Sequence, residues 1–544
     1  MGMSGKNNDF FLSADSGQRK IEELKIKKIY TDKQDMENRP RVAIKADSDL
    51  EKPEPGREIP LCVDLDGTLA NTDVLLETIA IAIKKRWIHL FLIPAWFFSG
   101  KAAAKRKLAI IGPIDPSTIP YNENLIGYLK QERERGRKIV LATASDRTIA
   151  ETIARHLGFF DDVIASDGVT NLKGEAKANA LVDLYGEGGF SYAGNSRSDL
   201  PVWRRAKSAL LVNTNRSVSR TVAVLLPVER KFHDRKPMLH ALMREIRPHQ
   251  WLKNLLIFIP PMAGHLLLDA TVFIPTLITF VVFCAAASGI YIINDLLDLE
   301  SDRNHPRKRN RPFASGELPL PFVLAGPLFI ATALAIGFAV SSGIMILVSI
   351  YLFISLAYSK YFKTKPLVDV FCLAALYTIR MLAGGVASNT GVSIWLLNFS
   401  GFLFLSLGFL KRYTEYSSDN PSKDSAVNDR RGYTRTDSIL LMMMGIGSSF
   451  VSSLILGFYV NSMQAHIAYR NSFLLWGIVP LILFWQCRMW LSTVRGYMHD
   501  DPIVYAAKDK ISYYVMAFIF LFYLSASVEV LPFLGQLSPG QPPR

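Results

Sequence analysis

Acidic and amide side chains recur at regular spacing where one long apolar stretch of the sequence ends. Asn294 and Asp295 are followed by Asp298 and Asp302, and on a helix that advances 100° per residue the three aspartates lie within about 60° of one another. Three carboxylates on one helix face at the edge of a membrane repel one another, and a divalent cation would relieve this repulsion. The spacing therefore predicts a Mg²⁺ site, and Mg²⁺ in turn favours diphosphate oxygens.

A basic loop follows these acids. Lys308 and Arg311 are suited to holding phosphate oxygens, and His305 lies in the same Pro- and Gly-containing segment, which ends at Gly316. The competing interpretation is an ordinary acidic and basic loop at the lipid headgroups. Clustering of the acids by helical face, with a Pro/Gly loop directly after them, favours the metal and phosphate site.

Two further carboxylates, Asp64 and Asp66, lie two positions apart directly after a short β-rich run. A loop at the end of a strand can present both carboxylates to a phosphate and a metal ion. A lone Asp-x-Asp-Gly sequence also fits a calcium loop or a turn, but motifs later in the chain argue against that alternative.

The elements that must position these residues fall into regions of different composition. Residues 58 to about 230 alternate short β-rich runs with amphipathic helical stretches, which predicts a parallel sheet covered by helices. Residues 1–57 are polar and charge-rich without an apolar period, and they predict a flexible arm that stays in the cytoplasm. Residues 231–250 are predicted to form a linker or interfacial segment, and residues 536–544 a C-terminal tail.

Nine apolar runs between residues 251 and 535 predict nine membrane-spanning helices. Their approximate bounds are 251–268, 272–294, 320–341, 344–359, 368–387, 393–410, 438–460, 472–487 and 511–534. The first run is short and is interrupted by Pro260-Pro261.

If the preceding domain is cytoplasmic, the loops after the even-numbered spans hold 18 Lys and Arg, whereas the opposite loops and the tail hold only Arg470 and Arg544. The positive-inside rule therefore predicts a multi-pass protein of the inner (cytoplasmic) membrane, with its N-terminal domain in the cytoplasm.

Composition excludes several classes of protein. The chain has 544 residues, 62 Lys and Arg against 48 Asp and Glu, and a hydrophobic fraction of 49%, so it is neither mainly disordered nor a single small domain. Its four cysteines (Cys62, Cys284, Cys372 and Cys487) lie far apart in apolar surroundings, which argues against a disulfide framework or a zinc site. The net charge of +14 falls in loops near the membrane or the sites, without a nucleic-acid-binding motif, so nucleic acid is not a predicted partner.

The C-terminal region resembles the UbiA superfamily of intramembrane transferases, whose first acidic motif has the form Asn-Asp-x-x-Asp. The string from Asn294 to Gly316, with Arg247-Pro-x-x-Trp-x-Lys253-Asn254, closely resembles one branch, the polyprenyl-phosphate (decaprenyl-phosphate) phosphoribosyltransferases, over roughly residues 245–535. The resemblance implies an all-α nine-helix transmembrane bundle that transfers 5-phosphoribosyl from phosphoribosyl pyrophosphate (PRPP) to a polyprenyl phosphate and releases pyrophosphate. The implied Mg²⁺ ligands are Asn294, Asp295, Asp298 and Asp302, and the implied substrate-binding residues of these motifs are Lys253, Asn254, His305, Lys308 and Arg311.

A second site segment follows the fourth apolar run. The residues in it that are implied to bind substrate are Tyr358, Lys363, Asp369 and Arg380. Superfamily members that use prenyl diphosphates normally present a second Asp pair here, whereas this chain has only Asp369 among several bases, which weakens an assignment as an aromatic prenyltransferase. Extra cations would complement the separate 5-phosphate of PRPP, although loop charge alone would explain Lys363. Arg380 is expected to face a polar cavity or to pair with Asp369. Loops 411–433 and 500–509 also resemble the family, and charge at the lipid surface explains them about as well.

The N-terminal domain resembles the haloacid dehalogenase (HAD) phosphohydrolases, which have a Rossmann-like α/β fold with a helical cap, here at about residues 70–125. The matching residues are Asp64 as nucleophile, Asp66 as acid/base, Thr143 as phosphoryl-binding hydroxyl, Lys177 as the cation, and Asp64, Asp66 and Asp199 as metal ligands. Lys177 is preferred over Lys173 for the cation. Asn195 stands where Asp is commoner, which weakens the predicted metal site. Because all four motifs occur in family order, a catalytic phosphatase is favoured over a degenerate relic.

Residues 89–98 form an apolar, Pro-containing run between clusters of Lys and Arg, and this run is too short to span a membrane easily. Two interpretations remain open. The run is either a buried helix of the cap or an interfacial segment that docks the cap on the anionic inner leaflet.

The motifs together predict a bifunctional enzyme. The membrane domain would make polyprenyl-phosphoryl 5-phosphoribose, and the HAD domain would remove the 5-phosphate. The alternative enzyme moves a prenyl group from a prenyl diphosphate to an aromatic or other small acceptor. A lipid-binding scaffold or transporter without catalytic activity is disfavoured by the clustered acids.

Overall fold

The computed structural model describes residues 59–98, 100–234, 237–306, 308–416, 432–434, 436–498 and 501–527. The predicted N-terminal arm and C-terminal tail lie outside these residues. An α/β region comes first, and a region of long apolar helices follows it.

The α/β region is built on one sheet of six strands in the order β3-β2-β1-β4-β5-β6, and every neighbouring pair is parallel. The strands are β1 Leu61–Val63, β2 Ile139–Asp146, β3 Asp162–Ser166, β4 Ser191–Gly194, β5 Ser208–Val212 and β6 Val228–Phe232. Strands β1 and β5 are buried along their whole length, as expected for central strands covered on both faces. The predicted parallel sheet is confirmed. Its strand order reverses between β1 and β4, so a crevice opens at their carboxyl ends, where ligands bind in sheets of this kind.

Eight α-helices accompany this sheet in the described residues. They are α1 Val74–Lys85, α2 His89–Phe98, α3 Lys101–Ile111, α4 Glu123–Glu134, α5 Arg147–Leu157, α6 Glu175–Tyr185, α7 Leu200–Trp203 and α8 Arg216–Leu225, with 3-10 turns at Pro116–Thr118 and Arg197–Asp199. Helix α1 begins after Asp73, whose side chain accepts a hydrogen bond from the Leu76 amide. Helices α1 to α3 lie between β1 and β2 in the chain and pack together around Ala82, Ile93 and Leu108.

The second region is entirely helical in its described residues. Its α-helices are α9 Met238–Glu245, α10 Ile259–Ala263, α11 Ala270–Leu297, α12 Leu299–Arg303, α13 Ala325–Val340, α14 Ser342–Lys360, α15 Val368–Ala387, α16 Ile394–Tyr416, α17 Asp437–Val460, α18 Met463–Ala468, α19 Ile478–Val494, α20 Pro502–Ala506 and α21 Lys510–Ser527. Further 3-10 segments are Pro248–Phe258, Lys308–Asn310, Leu320–Leu324, Phe362–Thr364 and Ser472–Gly477. Eight of these helices, two of them extended by a 3-10 segment, are long and apolar enough to cross a bilayer.

The first of the nine predicted spans has a different structure. In place of one long helix, the 3-10 segment Pro248–Phe258 is followed by the short helix α10, so this run is not among the eight long apolar helices of the described residues. The physical reason is the Pro260-Pro261 pair, because two successive residues without an amide hydrogen interrupt the hydrogen-bond ladder of an α-helix.

Small and polar side chains hold the helices of this bundle together. A Cβ at Gly445 would lie 2.1 Å from the Trp490 ring, so only glycine permits this approach. Ser406 and Ser449 lie 2.7 Å apart between two helices, and Ser452 donates to Gln486. Such contacts let helices pack closely where the hydrophobic effect gives little driving force.

Candidate active sites

The first candidate site lies at the carboxyl ends of β1 and β4. Lys177 of α6 is buried and donates from Nζ to Asp64 Oδ1 at 2.6 Å and to the Tyr192 hydroxyl at 2.9 Å. Its Nζ also lies 4.0 Å from Asp199 Oδ1. Lys173, the alternative considered from the sequence, is exposed. One ammonium group therefore contacts two buried carboxylates that follow different strands.

Asp66 is held by a different set of donors. Its Oδ1 accepts from the Val74 amide at 2.8 Å, at the first residue of α1, and its Oδ2 accepts from Ser145 Oγ at 2.8 Å. Burial raises the pKa of Asp66 to about 6, and neighbouring Asp73 adds to the rise. A carboxyl group that titrates near neutral pH is suited to general acid/base catalysis.

Burial also raises the pKa of Asp64 to about 7, and nearby Asp199 and Asp66 reinforce the rise while Lys177 opposes it. Asp199 Oδ2 accepts from the backbone amides of Asn195 and Ser196 at 3.2 and 3.0 Å. The backbone amide of Asn195 thus helps to position Asp199.

Thr143 occupies a fully buried position in β2, and its Oγ1 accepts from the Ser145 amide at 3.0 Å. Strand β2 continues past Thr143 to Asp146 across an irregularity in its pairing with β3. This irregularity brings Ser145 to Asp66, a contact that no sequence signal indicated.

Two other residues near this site were not predicted. Tyr192 donates to Asp199 Oδ1 at 3.1 Å, so it links Lys177 to Asp199. Lys105 of α3 donates to the Ala144 carbonyl at 2.6 Å and to Asn171 Oδ1 at 2.9 Å, so the cap helices contribute a cation to the sheet edge. The exposed Lys-rich composition of α3 gave no indication that this lysine faces inward.

The second candidate site is a cavity of about 540 Å³ at one end of the helical bundle. Basic side chains line it from several directions: Arg247, Lys253, Lys308, Arg311, Arg380 and Lys411. Asn294, Asp501 and the tyrosines Tyr291, Tyr351, Tyr358 and Tyr377 also line it. A cavity with this many cations is suited to a ligand that carries several negative charges.

The acidic motif is paired with arginines at one end of this cavity. Asp295 is buried, and its Oδ1 and Oδ2 accept hydrogen bonds from Arg247 Nη2 at 2.7 and 2.5 Å. Its Oδ1 also accepts from Arg311 Nη1 at 3.0 Å. The same Arg311 nitrogen lies 2.5 Å from Asp302 Oδ2. Asp295 and Asp302 therefore converge on a single point beside the cavity.

Asp298 departs from the predicted arrangement. The long helix α11 ends at Leu297, so Asp298 is its C-cap, and the short helix α12 starts directly after it at Leu299. Asp298 is about half exposed, and its partner is Lys363 at 3.6 Å. The prediction assumed one uninterrupted helix, whereas the chain turns at Asp298 into the separate helix α12.

The set of possible Mg²⁺ ligands at the acidic motif is small. Across the described residues, no group of three or more His, Cys, Asp or Glu side chains is arranged to hold a metal ion. Mg²⁺, however, is usually held by one or two carboxylates and completes its shell with water and phosphate oxygens. Two oxygens, from Asp295 and Asp302, already lie within 3.0 Å of one cationic nitrogen, so this pair fits an ion that arrives with a phosphate ligand.

Lys253 and Lys411 form a second charged group among the residues that line the cavity. Their Nζ atoms lie 2.7 and 3.3 Å from Asp501 Oδ2. Burial opposes the ionisation of Asp501, but these two ammonium groups hold its pKa well below the ordinary value. Asp501 thus neutralises part of the charge and fixes both lysines beside the cavity.

Two predicted substrate-binding residues lie behind the cavity wall. Asn254 is fully buried and accepts from Arg380 Nε at 2.7 Å, so it orients a cavity residue and does not line the cavity itself. Asp369 is also fully buried and pairs with Arg412 and with the Tyr433 hydroxyl, at 2.6 Å from the latter, so the alternative pairing with Arg380 does not occur. Both side chains lie behind the cavity wall because long-range partners fill their hydrogen bonds.

The remaining residues predicted to bind substrate also divide into some that line the cavity and some that do not. Tyr358 and Lys308 line the cavity, whereas His305 and Lys363 do not. His305 Nδ1 accepts from the Lys308 amide at 3.4 Å, which supports the basic loop. Arg412, which the sequence did not single out, donates to the Tyr358 hydroxyl at 2.6 Å and braces that cavity residue from behind.

Glu245, at the end of α9, was also missed. It is fully buried, and no hydrogen-bond donor among the described residues reaches either carboxylate oxygen. Burial raises its pKa to about 8, and the charge of Asp295 adds to the rise. Glu245 is therefore a buried carboxyl group beside Asp295, and both burial and the charge of Asp295 favour its protonated form.

The two regions meet at the acidic motif. Arg303, next to Asp302, donates to both Glu77 oxygens of α1 at 2.9 and 2.6 Å, and both side chains are almost fully buried. Arg303 Nε also donates to the Ala314 carbonyl. A Cβ at Gly316, whose φ is +73°, would lie 2.5 Å from the Asn71 carbonyl oxygen. The loop that carries the motif is therefore fixed against the α/β region.

We expect Glu77→Gln to lower the stability of the protein by about 3 kcal/mol, because it leaves the buried Arg303 guanidinium without its counter-charge. Thermal unfolding in detergent measures the effect. Glu300→Gln is the matched control, since Glu300 is exposed and lies three residues from Arg303 in the same short helix. Equal unfolding temperatures for the two variants would contradict the assigned role of this ion pair.

Comparisons with known proteins cover both regions. Residues 257–502 match the model of the UbiA prenyltransferase family, and residues 61–204 match that of the haloacid dehalogenase-like hydrolases. The uncharacterized protein y4nM of Sinorhizobium fredii is 35% identical over 475 residues, which are 85% of this chain and 90% of that protein. The decaprenyl-phosphate phosphoribosyltransferase of Mycolicibacterium smegmatis is 39% identical over 188 residues, which are 33% of this chain and 58% of that protein.

Among solved structures, a UbiA homolog from Archaeoglobus fulgidus bound to GPP and Mg²⁺ is similar to 53% of this chain and 99% of its own, with a TM-score of 0.42 and 17% identity.

Proposed function

Since the chain belongs to the UbiA prenyltransferase family through its membrane domain and carries a HAD-like domain before it, we propose that it is a bifunctional enzyme of polyprenyl-phosphate sugar synthesis. The membrane domain transfers 5-phosphoribosyl from PRPP to a polyprenyl phosphate and releases pyrophosphate. The HAD domain then removes the 5-phosphate. The similarity to a decaprenyl-phosphate phosphoribosyltransferase supports this substrate class.

The main structural support is that the cations of the cavity form two groups with different carboxylate partners. Arg247, Lys308 and Arg311 surround the acidic motif, whereas Lys253 and Lys411 lie with Asp501. A prenyl diphosphate carries one charged group, but PRPP carries a diphosphate and a distant 5-phosphate. Two cationic groups therefore suit PRPP better.

In the proposed transfer, Arg247, Arg311 and Lys308 hold the pyrophosphate of PRPP, and Lys253 and Lys411 hold its 5-phosphate. Mg²⁺, when bound by Asp295 and Asp302 with Asn294 nearby, would neutralise charge on the leaving pyrophosphate. An oxygen of the polyprenyl phosphate forms a bond to the anomeric carbon while the bond from that carbon to the pyrophosphate oxygen breaks. The acceptor is already an anion, so no strong general base is needed.

In the proposed hydrolysis, Asp64 attacks the phosphorus of the 5-phosphate, and Asp66 donates a proton to the departing ribosyl oxygen. Lys177 compensates the charge of the aspartyl phosphate. Water, deprotonated by Asp66, then cleaves the aspartyl phosphate and releases inorganic phosphate. Mg²⁺ beside Asp64 and Asp199 would offset charge on the phosphoryl oxygens.

We further propose that the protein lies in the inner membrane with the HAD domain on the cytoplasmic side. The excess of Lys and Arg in alternate loops supports this orientation. The contact between Arg303 and Glu77 supports a common side for the HAD domain and the acidic motif.

To test the transfer reaction, purified full-length protein is incubated with Mg²⁺, a polyprenyl phosphate, labelled PRPP and, in a parallel reaction, a labelled prenyl diphosphate with an aromatic acceptor. Mass spectrometry of the lipids identifies the product. We expect the label of PRPP in a pentosyl lipid. Label transfer only from the prenyl diphosphate would instead support the aromatic prenyltransferase alternative.

A further inference from the structure

Helix α2 carries an unusual exposed apolar surface for a region built on a soluble fold. Its inner contacts are few: Ile93 is buried, and Trp96 and Phe97 are partly covered by α1 and α3. Six large apolar side chains in or next to the helix are exposed: Trp87, Ile88, Leu90, Phe91, Leu92 and Phe98. Such a contiguous patch marks a surface that meets a partner or a membrane.

The position of α2 indicates which partner this is. Ala80, Ile81 and Lys84 of α1 line the same small cleft as Leu296 and Leu297, the last residues of the membrane helix α11. Lys84 and His89, the first residue of α2, are five residue steps apart, so the chain reaches at most about 17 Å from this point. Helix α2 therefore starts close to the level at which the hydrocarbon core ends.

The charge around α2 favours an anionic lipid surface. Residues 78–114 contain seven Lys and Arg and no Asp or Glu. Lys84, Lys85 and Arg86 directly precede the apolar patch and are exposed, and Lys101 follows it. A helix with apolar side chains flanked by cations is typical of segments that lie in the headgroup region.

We propose that α2, with Trp87 and Ile88, inserts into the headgroup and acyl-chain boundary of the bilayer that holds the membrane domain. With 10 residues and an internal Pro94, α2 is too short to span the bilayer and lies along its surface. The docked helix packs on α3, whose Lys105 reaches the Asp66 side of the first candidate site. Membrane docking would therefore bring that site to the lipid surface. This inference does not rest on the proposed reactions.

The test uses full-length protein in vesicles of phosphatidylethanolamine and phosphatidylglycerol, with the accessible Cys372 and Cys487 replaced by serine. Leu90→Cys is labelled with the fluorophore NBD. The matched control is Leu184→Cys in α6, because Leu184 is 50% exposed and Leu90 is 55% exposed. We expect blue-shifted NBD emission at position 90 and at least twofold stronger quenching by spin-labelled lipid than at position 184.

Two results would overturn the proposal. Equal, water-like emission at both positions would mean that α2 lies in solvent. A label at position 90 that is shielded from aqueous iodide but not quenched by spin-labelled lipid would mean that protein covers this surface, for example a second copy of the chain. Neither result bears on whether PRPP is the substrate, so this test and the product assay fail independently.

Discussion

Asp295→Asn is expected to reduce transfer from PRPP by about 10³-fold, because it removes a charge at the point where the proposed metal and two arginines meet. Arg247 and Arg311 both contact this carboxylate, so the substitution also disturbs two side chains that are proposed to hold the pyrophosphate. Initial rates with labelled PRPP and polyprenyl phosphate measure the effect.

The contacts also predict that substitutions of the different aspartates in the acidic motif reduce transfer activity to different extents. Asp298→Asn should cost only about 10-fold, because Asp298 is half exposed and contacts only Lys363 among the cations near it. Asp269→Asn, at the exposed N-terminus of the same helix α11, is the matched control and should retain parental activity. Equal losses for Asp295→Asn and Asp298→Asn would contradict the geometry, and parental activity of both would contradict the transferase site. Retained hydrolysis of p-nitrophenyl phosphate would exclude general unfolding.

Asp64→Asn is expected to abolish phosphatase activity, with a loss of at least about 10³-fold, because an amide cannot serve as the nucleophile. The substitution nearly conserves shape, and Tyr192 remains as a partner of Lys177, so the fold should persist. If the two domains act in sequence, the lipid 5-phosphate accumulates while its rate of formation is unchanged. Lipid mass spectrometry detects this product.

The control for this variant is Asp167→Asn, because Asp167 is exposed and its carboxylate only caps the amides of a neighbouring loop. An unchanged lipid product in Asp64→Asn, together with lost hydrolysis of p-nitrophenyl phosphate, would show that the HAD domain acts on another substrate. The transferase assignment would survive that result.

The site of the α/β region could be predicted from the sequence because parallel sheets bring distant strand ends together. Asp64, Asp66 and Asp199 follow strands β1 and β4, which are neighbours in the sheet, so local sequence was enough to predict a shared site. The choice of Lys177 over Lys173 agrees with burial and contact with Asp64. Ser145 and Tyr192 were not predicted, because an irregularity in strand pairing and a side chain that reaches across the sheet edge leave no signature in spacing.

The membrane region was predictable in outline for an equally simple reason. A bilayer demands long apolar helices, and composition alone revealed eight of them. The sequence also located the acidic motif and the basic residues Lys253, Lys308 and Arg311 that line the cavity. It also showed that Pro260-Pro261 interrupts the first predicted span, but it did not reveal that the segment before this pair would be a 3-10 helix.

Only the tertiary structure decided which charges pair. Asp298 pairs with Lys363, whereas Asp295 pairs with Arg247 and Arg311. Asp369 pairs with Arg412, 43 residues away, in place of Arg380. Buried charges take whichever partner the packed helices bring within hydrogen-bond distance, and sequence spacing does not specify that partner. The sequence by itself therefore determined the two folds and the chemical types of the sites. The packing of helices and domains determined which residues line the cavity and which support it from behind.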